Sequence, residues 1–431
     1  MSKIHVVGRG VSGRYRGLAA LVVCGLVAGA VGLAAWCQGG LSMAQGLAKY
    51  GLWSDVHAPL ERYLRLHPRD PAANMLRAEA LVKDDGLPLL QRITESIERL
   101  EQIPDDAPEA AAARIAAARV HLFLRYEPVA AWRSLERAMK LDPESLEAHL
   151  LAWRLFELIG RIDDVEELFW KAYELSPEAE RPLRLREWYA SQFFPQTTLA
   201  EFDTLMGFRQ AISDPVDIVE GRRLQRFVRA EPTEPWGHAA LARWFLSRGE
   251  PEVAVEVLDR AATVVPPEGR GDPYWLSTEI DVLCDVGEAE KAAEAFARWP
   301  ASDRSRRYAL ARGRVLADAD GDAAGAVTAY DEALAIWPGP VDWQTVNRSA
   351  TCLARAGDEQ GANARREEAR RIERLMKEEV HQRLFKRLAD LSDPALLAEM
   401  EAFYRDLNRP REAAGWAAAR AALASPVSAA P

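Results

Sequence analysis

The chain has 431 residues, of which 48% are hydrophobic and 28% are charged, and its formal net charge is −10. These proportions are typical of a soluble helical protein, and the length is sufficient for a large core. The acidic balance argues against nucleic-acid binding, because that function depends on a basic surface.

The first 37 positions predict a membrane anchor. No charged residue occurs anywhere from Gly17 to Cys37. At about 1.5 Å per residue, a helix of this length just crosses a hydrocarbon core of about 30 Å. The residues before the run include four basic and no acidic side chains, namely Lys3, Arg9, Arg14 and Arg16. We therefore expect residues 1–16 in the cytoplasm, an uncleaved signal-anchor helix over 17–37, and the remaining chain outside the cytoplasm.

Two other interpretations of this segment remain open. A cleaved signal peptide usually has an apolar core of about 7–15 residues and a small-x-small cleavage site, and here Trp36 interrupts that pattern. A lipoprotein signal ending at Cys37 needs a small residue before the cysteine, where Trp36 again stands. Residues 1–37 contain four basic and no acidic side chains, so without them the net charge falls from −10 to −14. That charge argues against a long contact with anionic lipid.

Beyond the anchor, four glycines are each followed by a proline at the same spacing. The pairs are Gly51 and Pro68, Gly160 and Pro177, Gly249 and Pro266, and Gly321 and Pro338. Glycine adopts the left-handed turn that ends many helices, and proline stops a following helix. At the fifth position after each glycine the side chain is small, and at the ninth position it is large. Small and large residues on one face predict a helix packed closely on the preceding one.

Equivalent positions also recur at one constant interval, as from Pro143 to Pro177 and from Gly287 to Gly321. A period of about 34 residues with two helices resembles the tetratricopeptide repeat (TPR) family, and residues 235–266 match it best. The resemblance implies an all-α fold, a TPR-like α-solenoid in which about eight to ten hairpins form a right-handed superhelix. We expect one transmembrane helix before it.

The repeat pattern divides the chain into segments of different regularity. In chain order we expect degenerate hairpins over 41–104, TPR repeats over 105–177, an irregular helical segment over 178–232, TPR repeats over 233–374, and a capping helix with a terminal degenerate hairpin over 375–425. Residues 360–391 predict one long amphipathic helix with an apolar stripe. That helix covers the end of the solenoid or forms a homodimer.

The sequence predicts no catalytic, cofactor or metal site. The chain has no Gly-x-Ser-x-Gly, His-Glu-x-x-His or Walker-type sequence, and no alternating strands and helices to house a catalytic domain. Asp318, Asp320 and Asp322 lack the spacing of a calcium loop, so we interpret them as an acidic turn that caps the next helix. The four cysteines do not form a disulfide framework.

A peptide groove is the remaining candidate site. In the TPR family the first helix of each pair lines the concave face, so the resemblance implies ligand contacts at fixed positions along it. These positions give six candidate groove residues: Arg154, Trp236, Arg243, Tyr274, Tyr308 and Asn347. Aromatic, guanidinium and amide groups can contact an extended peptide, although each residue is also compatible with an ordinary solvent-facing position.

The sequence therefore predicts a non-catalytic, membrane-anchored scaffold for protein–protein interaction in a bacterial-type cell envelope. Its single span lies in the inner membrane and its C-terminal domain in the periplasm. The alternative is an accessory or assembly subunit that recruits substrates to a separate envelope enzyme, as in cytochrome maturation or envelope biogenesis.

Overall fold

The computed structural model describes Trp36 and residues 38–193, 221–376 and 378–424. All regular secondary structure in these ranges is helical, and the chain divides into two compact units, Met1–Val120 and His121–Pro431. No helix of the described ranges is long and apolar enough to cross a bilayer. The predicted cytoplasmic residues 1–16 and, apart from Trp36, the predicted anchor lie outside the described residues.

In its described residues, the first unit contains a helical stretch over residues 38–49 and four further α-helices. They are α1 (Trp53–Leu66), α2 (Pro71–Lys83), α3 (Leu89–Glu101) and α4 (Ala110–Arg119). Ala44 packs into one core with Val56 and Leu60 of α1, and all three are fully buried. Arg114 of α4 is also fully buried, and its guanidinium donates to the Leu100 carbonyl at 2.9 Å. A buried cation thus donates to a carbonyl in the last turn of α3.

The second unit consists of helices that pack mainly on their neighbours in sequence. Up to the undescribed residues 194–220 they are α5 (Pro128–Leu141), α6 (Leu146–Leu158), α7 (Glu166–Leu175) and α8 (Arg181–Phe193). After those residues they are α9 (Arg222–Ala230), α10 (Pro235–Ser247), α11 (Pro251–Ala262), α12 (Pro273–Asp285), α13 (Ala289–Phe296), α14 (Arg306–Asp318), α15 (Ala323–Leu334), α16 (Trp343–Arg355), α17 (Glu359–Leu375), α18 (Glu378–Arg387), α19 (Pro394–Asp406) and α20 (Pro410–Ala424).

The left-handed glycine turns that the sequence predicts are confirmed. Glycines with φ between 68° and 86° stand between paired helices at Gly51, Gly160, Gly249, Gly287, Gly321 and Gly357. The Asp322 side chain accepts a hydrogen bond from the Gly325 N–H at 2.9 Å, as predicted for a helix cap. These local signals explain where the hairpins turn.

The alternation of small and large residues also has the predicted packing role. In the pair α14 and α15, Ala326, Tyr330 and Ala333 are almost completely buried. A Cβ atom at Gly313 of α14 would lie 2.5 Å from the Tyr330 ring. The two helices therefore approach closely because one of them carries no side chain at the crossing.

Helix α8 departs from simple neighbour packing. It lies in the segment 178–232, for which the sequence predicts irregular helical structure, and it contacts α18 and α20 as well as α7. Trp188 donates to Glu412 at 3.1 Å, and the Tyr189 hydroxyl lies 2.8 Å from Nδ1 of His381. The C-terminal helices thus pack on the middle of the unit.

The prediction of one long helix over residues 360–391 is wrong. Helix α17 ends at Leu375, with Met376 as its C-cap, and α18 begins at Glu378. The two helices serve different surfaces, because α17 pairs with α16 whereas α18 contacts α8. Several stripe residues are buried within the chain, namely Ala369, Ile372, Leu384 and Leu388. The stripe that we considered for a homodimer is therefore largely used in intramolecular packing.

Candidate functional site: a cavity along the first helices

The first helices of four successive pairs line a cavity in the second unit. Helices α10, α12 and α14 contact one another in order, and with α8 and α16 they surround a cavity of about 860 Å³. The wall includes the indoles of Trp188, Trp337 and Trp343. A space of this size, with both polar and aromatic walls, is large enough for a ligand or several peptide residues.

Arg243 of α10 is held in the wall by the next first helix. Its Nε donates to the Thr278 hydroxyl at 2.8 Å, and one terminal nitrogen donates to the Ser277 hydroxyl at 2.9 Å. The same nitrogen lies 3.4 Å from the Asp281 carboxylate. These contacts fix the guanidinium while 31% of the side chain stays exposed.

Further along the wall, Arg314 of α14 and Arg348 of α16 also line the cavity. Arg314 is nearly buried and pairs with Asp285 at 2.6 Å and Asp318 at 3.4 Å. Arg348 is half-buried, and no carboxylate of the described ranges forms an ion pair with it. Among the described residues, the Arg314 guanidinium is thus paired with carboxylates, whereas that of Arg348 is not.

Glu157 of α6 lines the same cavity with a side chain that is only 10% exposed. The Trp153 indole donates to its carboxylate at 2.6 Å, and Arg154 lies 3.8 Å away. Burial raises the pKa of Glu157 to about 7, because the apolar surroundings disfavour the charged form more strongly than Arg154 favours it. This group therefore titrates near neutral pH.

The turn between α6 and α7 packs on the neighbouring part of the surface formed by these first helices, which we call the inner face. Asp163 pairs with Arg306 at 2.7 Å and with Arg307 at 3.1 Å, and Asp164 pairs with Arg307 at 2.9 Å. Arg306 and Arg307 of α14 are only 6% and 4% exposed. Burial tends to raise the pKa of Asp163, but Arg307 and Arg306 outweigh it and hold that pKa below its usual value. An acidic turn of the chain itself is thus bound to the first helices.

Arg161 extends this contact to aromatic groups. Its guanidinium lies 4.3 Å from the Trp236 ring centre and 4.7 Å from that of Phe156. The Tyr274 hydroxyl donates to the Ile159 carbonyl at 2.5 Å. Cation–π contact and a buried hydrogen bond therefore fix the same turn.

The structure places the six sequence-predicted groove residues in three environments. Arg243 and Asn347 line the cavity, and Asn347 is exposed. Arg154, Trp236 and Tyr274 are buried by this chain's own residues. Tyr308 stacks on Phe296 with ring centres 5.5 Å apart. The cavity therefore brings two of the six together, and their role as groove residues stays a prediction.

Sequence reasoning missed several wall residues. Trp188 and Trp337 come from outside the first-helix positions that the resemblance supplied. Arg348 could have been found, because it directly follows the predicted groove residue Asn347. The contact of the bound turn could have been predicted from two pairs of adjacent, oppositely charged residues, Asp163–Asp164 and the arginines 306–307.

Comparison with known proteins finds no matching family model and no matching curated protein. Solved structures similar to this chain include the APC/C hetero-tetramer Cut9–Hcn1, at 13% identity over 91% of this chain and 88% of that chain, with a TM-score of 0.36. The TPR domain of P58(IPK) is 15% identical over 82% and 93%, with a TM-score of 0.29. The human IFIT1 dimer with PPP-AAAA is 13% identical over 78% and 72%, with a TM-score of 0.26. Because these scores lie below 0.5, we base the TPR-like fold on this chain's own repeated, glycine-turned helix pairs.

Proposed function

We propose that this protein is a non-catalytic scaffold that holds a segment of a partner protein in the cavity of the second unit. The observation that carries the proposal is the wall itself, to which four successive first helices contribute. It presents fixed guanidinium, carboxylate, amide and indole groups along one path. Such a mixture suits an extended peptide, whose backbone needs donors and acceptors at regular intervals.

The charges of the wall favour a partner segment with an acidic side chain. Arg243, Arg306 and Arg314 already have carboxylate partners within the chain. Arg348 has no such partner among the described residues and lies beside the exposed Asn347. A carboxylate of the partner at Arg348 would form a charge-assisted hydrogen bond, which is stronger than a neutral one.

We also propose that residues 17–37 anchor the protein in the inner membrane, with the two units in the periplasm. The support is the uncharged run behind a basic segment. Alkaline extraction of membranes should leave the chain in the bilayer, and protease added to spheroplasts should degrade the two units. Release by alkali, or protection from protease, would overturn this part of the proposal.

Site-specific photo-crosslinking in cells tests the scaffold function. A photoreactive amino acid at Asn347 should capture a discrete partner band, whereas the same group at Gln360, exposed on the second helix α17, should not. Arg348→Glu should reduce capture from Asn347 at least fivefold, because it reverses the charge that we assign to binding. Equal capture from both positions, or capture unaffected by Arg348→Glu, would contradict partner binding in the cavity.

A further inference from the structure

The helical stretch that begins the described part of the first unit has one apolar face that stays largely exposed. The exposed fractions are 57% for Trp36, 54% for Met43 and 79% for Tyr50. These residues stand seven apart, and the exposed Gly39 and Gly46 stand between them. At about 100° per residue the positions of Trp36, Gly39, Met43 and Gly46 fall within an arc of about 80°, and Tyr50 follows in the turn that ends the helix. The spacing of three and four is that of a helix–helix seam.

The other faces of this helix have different roles. Gly40 and Ala44 pack on α1, where a Cβ at Gly40 would clash with the Pro59 carbonyl. Gln38, Ser42, Gln45 and Lys49 form a polar face. The apolar face lies between the two, and we name its five residues, Trp36, Gly39, Met43, Gly46 and Tyr50, the heptad face.

Arg62 of α1 joins two members of the heptad face into one surface. Its guanidinium lies 4.0 Å from the Trp36 ring centre, and it approaches the Met43 sulfur at 3.9 Å. More than half of each apolar side chain nevertheless stays exposed. At Gly39 and Gly46 an added Cβ would meet nothing within 4 Å. The heptad face therefore consists of large exposed side chains next to the gaps at the two glycines.

The chain before this helix indicates what covers the face. The same spacing of three and four continues upstream in the sequence through Gly32, Gly29, Gly25, Val22 and Leu18. Gly25 and Gly29 form a Gly-x-x-x-Gly pair, which allows helix backbones to approach closely in a bilayer. In the sequence, the spacing thus continues from the predicted anchor to Tyr50, which is the pattern of a seam between two like helices.

We propose that two copies of this protein associate in parallel through the heptad face. In this arrangement Trp36, Met43 and Tyr50 of one copy pack beside Gly39 and Gly46 of the other. The parallel direction rests on the proposed membrane anchor, because a single span with residues 1–16 on one side orients both copies alike. The contact along Trp36–Tyr50 itself rests on the described residues.

Energy transfer between donor- and acceptor-labelled full-length chains in phosphatidylcholine vesicles tests the proposal. Gly46→Leu should weaken the dimer at least tenfold, because the leucine side chain occupies the gap beside which the large side chains of the other copy pack. The variant should still fold, since a Cβ at this position meets no atom within 4 Å and leucine is a better helix former than glycine. The matched control Gln45→Leu, on the polar face, should dimerise as the wild type does. A monomeric wild type, or equal weakening by both variants, would overturn the proposal.

Disulfide trapping locates the contact and separates it from the anchor. In a chain whose four native cysteines are replaced by alanine, Met43→Cys should give at least fivefold more oxidised dimer than Gln45→Cys. Equal yields would overturn the heptad face, as would a Gly46→Leu change that only alters vesicle binding. If the protein is extracted by alkali but still traps through Met43→Cys, the anchor fails and the association stands.

Discussion

Two neighbouring parts of the inner face are both formed by first helices. A turn of the same chain covers one part, whereas the other part is open. Along α10, α12 and α14, the turn of residues 159–164 covers Trp236, Tyr274, Arg306 and Arg307. Further along, beside α16, the face stays open and contains Arg348 and Asn347. Repeat position alone therefore does not decide whether a first-helix residue is covered or open, because a turn of the same chain can pack on it.

The largest contrast between the two parts should appear on removing one arginine from each. Arg307→Ala leaves Asp163 and Asp164 buried with fewer partners and should lower the free energy of unfolding by about 3 kcal/mol. Arg348→Ala removes a half-buried side chain without a carboxylate partner in the described ranges and should change it by less than about 0.5 kcal/mol. Chemical denaturation measures both. Similar losses in the two variants would contradict the distinction between a filled and an open part.

The carboxyl groups of the two parts should respond oppositely to pH. The pKa of Glu157 is raised on folding, so folded protein binds more protons than unfolded protein between about pH 4.5 and 7, and stability falls as the pH rises through that range. In the wild type the free energy of unfolding should fall by about 1–3 kcal/mol between pH 5 and pH 8. This fall should be absent in Glu157→Gln. The pKa of Asp163 is lowered, so its contribution is present above its unfolded pKa and is lost in acid. An unchanged pH slope in Glu157→Gln would show that Glu157 is not buried as described.

The turn glycines test whether the bound turn carries extra backbone strain. Gly160 lies in the bound turn with φ of 71°, and Gly249 lies in another hairpin turn with φ of 74°. Because an added Cβ meets no atom closer than 3.6 Å at either site, alanine should cost about 1 kcal/mol at both, through the left-handed backbone alone. Gly271→Ala, without positive φ, is the control for thermal denaturation. A much larger loss at Gly160 would mean tighter packing of the bound turn than the distances show.

The hairpins were predictable from sequence because their signals are local. Glycine turns, closing prolines and small–large alternation act within one repeat, and Gly249, Ala254 and Leu258 have the predicted conformation or burial. The site was less predictable because its formation depends on distant residues. Tyr274 is buried by Ile159, 115 residues away, and Trp188 is joined to Glu412, 224 residues away. The repeat period contains no information on such contacts. The apolar stripe also did not predict that α17 ends at Leu375.

Hydroxyl-radical footprinting of the free protein and of the partner complex extracted from membranes tests the central claim most directly. Trp343, on the wall of the cavity, should be oxidised in the free protein and protected in the complex. Trp236 and Tyr274 should stay unreactive in both, because the turn of residues 159–164 covers them. Reactive Trp236 and Tyr274 in the free protein, or a complex that leaves Trp343 unprotected, would contradict a filled inner face beside an open binding cavity.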